Sequence, residues 1–136
     1  MANAIIPMAR SLVLCDAATG GPSGKVYLSG VFNAIRAGGF PHTGTRVVVY
    51  TQLTGGVGVV PAHIDIRHAT RDEVVYHSGR FTLRFSDRLA VRQLSAVLSR
   101  CTFPYPGLYT VELFCHNQFV CDTTLRLIEP GGTDGD

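Results

Sequence analysis

A chain of 136 residues, 46% of them apolar, is long enough to bury a core as one domain without disulfide or metal staples. Charged residues make up 16%, below the roughly 25% of an ordinary soluble domain, so polar surface is scarce: either apolar surface is left for a protein partner or a second copy, or a small fold buries one face of nearly every strand. Twelve basic residues against ten acidic ones give a net charge of +2 with the arginines scattered, which argues against a nucleic-acid partner, and no apolar run is long enough to span a membrane.

Residues 1–10 read as a lead-in that lies along a sheet edge. Pro7 and Arg10 interrupt it, so it is not a secretory signal, and the expected location is the cytoplasm. SLVLC at 11–15 is a short strand, and the small and polar residues of 16–24 make a loop. KVYLSGVFNAI at 25–35 is a second strand in which Gly30 marks a bulge or a close crossing. After a loop at 36–45, RVVVYTQL at 46–53 is apolar on both faces, as suits a central strand or one covered by a partner. A glycine-rich connection at 54–61 leads to a strand at 62–69 with Ile64 and Ile66 inward and His63, Asp65 and Arg67 outward. A turn at 70–73 opens a strand at 74–85 that Ser78 and Gly79 break or bend. Leu94, Ala96 and Leu98 alternate as a strand should within 89–100.

The clearest signal is FPYPGLYTVELFCHNQFVCDTTLRL at 103–127. A Pro-Gly turn launches two runs whose odd-numbered residues are mostly apolar: Tyr109, Val111, Leu113 and Cys115, then Phe119, Cys121, Leu125 and Leu127. Period-two alternation predicts a β-hairpin with one buried face. About eight short strands at this spacing predict an all-β antiparallel sandwich over 11–129, with 130–136 as a solvated tail. The second apolar face, carrying Val48, Tyr50, Phe114, Val120 and Ile128, is the candidate interface. The cysteines at 15, 101, 115 and 121 show no metal-binding spacing. With a hairpin tip centred on Gln118, Cys115 and Cys121 face each other inside the fold. They are read as buried thiols acting as small hydrophobes, with a disulfide as the alternative. Cys101, just before a turn, is the one thiol expected at the surface.

The order of these segments is similar to a bacterial family of small β-sandwich proteins of unknown function. SLVLCD, KVYLSGVFNAI, the Phe40 and Pro41 pair, VVVYTQL, HIDIR, FPYPGLYTVELF and TTLRL carry the likeness across 11–128. The resemblance implies an Ig-like or C2-like sandwich and no activity, cofactor or functional residue.

Chemistry is weakly signalled. His63-x-Asp65 has the spacing of two metal ligands on one strand face, with His116 and Asp122 near the hairpin tip. Solvated as a ladder with Arg67, these residues need no metal, and neither metal nor cofactor is expected. No serine stands in a G-x-S-x-G elbow, and the glycine loops precede strands rather than the helix a phosphate cradle needs. The expected function is therefore a non-enzymatic interaction module, self-associating or docking a protein through a sheet face or edge. A metal-dependent hydrolase, with at least two of His42, His63, His77 and His116 converging on a carboxylate at a loop end, is the alternative. A structural subunit of a phage or secretion assembly is the third reading.

Overall fold

A computed structural model describes residues 4–21 and 24–131. Those residues hold twelve strands and no α-helix: β1 (Met8–Ala9), β2 (Val13–Cys15), β3 (Ala17–Gly20), β4 (Val26–Ser29), β5 (Ala34–Arg36), β6 (His42–Thr54), β7 (Gly58–His68), β8 (Glu73–His77), β9 (Phe81–Phe85), β10 (Arg92–Phe103), β11 (Gly107–Cys115) and β12 (Gln118–Ile128). No helix is long and apolar enough to cross a membrane.

Two sheets enclose one apolar core. In the first, β6 is central, with β10 on one side and the short β1 and β2 on the other. The second runs β5-β12-β11-β7, and β8 and β9 follow one another along the far side of β7. The inner faces follow from alternation. On β7, Val60, Ala62, Ile64 and Ile66 are buried while His63, Asp65 and Arg67 lie on the opposite face. Val111, Leu113 and Cys115 of β11 and Leu125 and Leu127 of β12 meet Val47, Val49, Leu94 and Leu98 of the first sheet in the same cluster. At full burial each such side chain is worth about 1.5–3 kcal/mol in removed apolar surface.

Twelve strands replace the expected eight because several long runs are divided. Gly30 sits at φ +67 with Asp16 packed against its α-carbon, so the chain turns there and 25–35 splits into β4 and β5. Gly79, at φ +79, separates β8 from β9, where the Ser78 hydroxyl accepts a hydrogen bond from the Ile64 amide at 2.9 Å. The expected loop at 16–24 instead contributes β3, which pairs with β4 as a separate ribbon. The sheets are also not wholly antiparallel, because β5 runs parallel to β12.

Tyr109 anchors the bend into β11. It is fully buried, and its hydroxyl donates to the Tyr105 carbonyl at 2.6 Å while accepting from the Tyr105 amide at 3.2 Å. Phe103 and His68 meet its ring edge-on at 5.2 and 4.8 Å. Buried His68 spends both nitrogens on the backbone, on Pro106 O and the Arg71 amide, so it is a satisfied core residue.

Candidate functional site

The outer face of the second sheet gathers the polar chemistry. With Ile64 and Ile66 inward, β7 points His63, Asp65 and Arg67 outward, and β11 sets Phe114 opposite His63 and Glu112 opposite Asp65. A one-residue bulge at Val75 shifts the register of β8, so that His77 rather than Tyr76 pairs with Asp65. His77 thereby reaches the outer face while Tyr76 turns toward the core.

Asp65 stands between two imidazoles. Its Oδ1 lies 2.5 Å from His77 Nδ1, and its Oδ2 lies 3.8 Å from His63 Nε2. The His63 ring is stacked on Phe114, with 4.9 Å between centroids and 8° between planes, and its centroid is 5.0 Å from that of His77. The side chains of His63 and Asp65 are only 12% and 13% exposed, against 55% for His77. Glu112, beside Asp65, is held by its own partners: Arg67 Nε at 3.3 Å and the Thr110 hydroxyl at 3.2 Å. Arg67 also reaches Asp72 at 3.0 Å. Burial works against the Arg67 charge, but the two carboxylates outweigh it and its pKa lies above the usual value.

The sequence pair His63 and Asp65 is thus brought together, and of the four histidines named for the alternative reading His63 and His77 are the two that converge on a carboxylate. Asp122, two strands over from Asp65, lies beyond Glu112. His116 occupies the hairpin tip, where it lines a groove of about 90 Å³ with His63 and Arg80. His42 belongs to the other sheet, near Phe103.

The candidate interface does not form one surface. Val48 is 1% exposed and Ile128 is also buried, so the chain itself covers both. The β3–β4 ribbon is tethered over the outer face of β6 by Arg46 Nη1, which donates to Asp16 O at 2.6 Å, and by Gln93 Nε2, which donates to Gly24 O at 2.8 Å. Tyr50 lies half-buried on this first sheet and donates to Gln93, whereas Phe114 belongs to the second. A bulge in β12 places Phe119, not Val120, across from Phe114, and Val120 packs against the core. Phe119 is therefore 54% exposed, contrary to its expected inward position.

The thiols are likewise repositioned by register. His116 and Asn117 form the hairpin tip with φ of 52 and 61, the backbone of a two-residue turn. Cys115 then pairs with Gln118 and Cys121 with Leu113, and all four cysteines are free. Cys101 is buried rather than exposed, because an irregularity at residues 99–100, with Arg100 at φ 58, turns Cys101 and Phe103 inward. Burial pushes the Cys101 thiol up to about 12 and those of Cys115 and Cys121 to about 11, which makes them poor nucleophiles.

The first sheet ends in a long open edge, as the second does in β5 and in β8 and β9. β10 pairs with β6 alone among the described residues, which leaves the other side of 92–98 unpaired. Val97 is 52% exposed there, and the exposed Leu89 and Val91 lead into it.

Residues 10–128 match DUF6941, a family of unknown function, and the chain belongs to that family. A comparison with curated proteins found no match. Among solved structures, a β-glucosidase from Listeria innocua in complex with isofagomine aligns with 93% of this chain and 17% of its own, at 8% identity and a TM-score of 0.48. A Pseudomonas fluorescens alkylpurine DNA glycosylase, AlkC, bound to DNA containing an abasic site analog, aligns with 85% of this chain and 30% of its own, at 15% identity and a TM-score of 0.45. The chain spans less than a third of either structure's length.

Proposed function

We propose that the chain is a non-enzymatic interaction domain with an Ig-like or C2-like sandwich fold, acting in the cytoplasm. It docks an extended segment of a protein partner along the edge of β10. The open margin at 92–98 carries this reading, since unpaired N–H and C=O groups in a row are a template for an added strand. Native edges are commonly guarded by lysine, proline or inward-pointing charge, and RQLSAVL has none of these within its span after Arg92. The apolar approach through Leu89 and Val91 offers side-chain contacts beside the main-chain ladder. The Tyr109 hydroxyl reaching back to Tyr105 supports the Ig-like assignment, because a tyrosine corner of this kind recurs in such sandwiches. Four free thiols suit a reducing compartment.

The test is co-purification from the native host with a tagged full chain, wild type against a Val97→Lys, Leu89→Asp variant. A partner retained by the wild type and lost by the variant supports edge docking. Equal retention by both overturns it, and light scattering on the same samples shows whether the occupant is a second copy.

A further inference from the structure

We propose that His63, Asp65 and His77 form a binding site for one divalent transition-metal ion of the zinc class. The site goes beyond strand docking and lies on the other sheet. Nδ1 or Nε2 of each histidine and one Asp65 oxygen all lie within 4.8 Å of one another. Bonds of about 2.0–2.2 Å in tetrahedral geometry require donor atoms about 3.3–3.6 Å apart, so the cluster meets this spacing with shifts of about 1 Å.

The donor set selects the metal. Two imidazoles and one carboxylate suit zinc, cobalt, nickel or copper, whereas calcium and magnesium want a shell of oxygens. Three protein ligands leave a fourth position for water or for a donor atom from a bound molecule.

The surroundings add the two features a metal site needs, charge demand and fixed ligands. Asp65 is a nearly covered carboxylate directly across from a second one, Glu112. Like charges so placed repel, and Arg67 and Thr110 are spent on Glu112. The side chains that face Asp65 are those of His63, His77 and Glu112. A bound dication places a positive charge directly on the Asp65 carboxylate. Phe114 fixes the plane of the His63 ring, and the Val75 bulge sets His77 across from Asp65. His77, half-exposed, has the freedom to adjust. Coordination through its Nδ1 places the ring proton on Nε2 and replaces the hydrogen bond to Asp65 with two bonds to the ion.

Calorimetric titration with zinc chloride, together with the visible absorption of the cobalt(II) form, tests the site on the full chain. One equivalent should bind in the micromolar range or tighter, with the intense cobalt bands of a four-coordinate ion. His77→Ala and Asp65→Asn should each weaken binding about 10-fold or more, and His116→Ala should leave it unchanged. His77 is half-exposed, so its replacement spares the fold, and far-ultraviolet circular dichroism checks this for each variant. Absence of saturable binding, affinity equal to wild type in His77→Ala, or a loss in His116→Ala as large as in His77→Ala overturns the proposal.

Discussion

Tyr109→Phe isolates one hydroxyl in a ring that is otherwise unchanged. The ring keeps its edge-on contacts with Phe103 and His68, so no cavity of consequence opens. What is lost is the pair of hydrogen bonds to the Tyr105 carbonyl and amide. Each is worth about 0.5–1.5 kcal/mol net. Tyr105 is only half-buried, so water satisfies part of what the hydroxyl leaves behind, and the sum falls at about 1–2 kcal/mol. For a chain of this size that corresponds to a drop in Tm of about 4–8 °C. Urea unfolding should show a lower midpoint with the slope unchanged, because the same surface is exposed in both proteins. Burial raises the Tyr109 pKa above 10, so the folded state holds this proton more tightly than the unfolded chain does. The stability this gives is complete below about pH 10 and declines above it, and the variant should not show that share of the decline. A loss below about 0.3 kcal/mol would mean that the hydroxyl anchors nothing.

Leu113→Ala, in the floor of the second sheet, should cost about 2–5 kcal/mol by the same urea assay. A cost under about 1 kcal/mol would contradict a close-packed core there. Gly30→Ala should destabilise by more than about 1 kcal/mol, since its φ of +67 and the nearby Asp16 side chain both oppose a β-carbon; a neutral result would show that the turn relaxes. Cys101 should resist an aromatic disulfide reagent in the native protein and react once urea unfolds it. Its folded pKa of about 12 lies above the ordinary 9.0, so its contribution to stability is intact below pH 9 and is lost between there and about pH 12. In Cys101→Ala the alkaline slope should flatten.

The alternation of Ile64 and Ile66 with His63, Asp65 and Arg67 was legible because a strand buried on one face writes its burial directly into the sequence. The same holds for Leu94 and Leu98, and for the break at Ser78 and Gly79. Misplaced residues cluster at inserted ones. Val75, Val120 and the 99–100 irregularity each shift the pairing by one, and they decide the positions of His77, Phe119 and Cys101. Nothing in composition marks them, since bulged and unbulged valines look alike, and they arise from how two strands meet. Burial of Val48 was hidden for a related reason. Close to β6 runs β3, where AATG has too little apolar character to announce a strand and is held by backbone pairing with β4, while Arg46 bonds the Asp16 carbonyl just before it. The candidate site was therefore half legible, as a His-x-Asp pair and a set of four histidines, of which a register that sequence alone does not specify picks His77.

The Val75 bulge has a consequence for how the molecule tolerates change. Exchanging one amino acid in β8 alters one contact, and removing Val75 would close a regular ladder, with Val74 still across from Arg67, Tyr76 across from Ile66 and His77 across from Asp65. The strand can thus lose a residue at this spot and keep the imidazole on its surface, whereas drawing Val75 into the ladder at unchanged chain length would turn Tyr76 to the wet layer and His77 to the dry one.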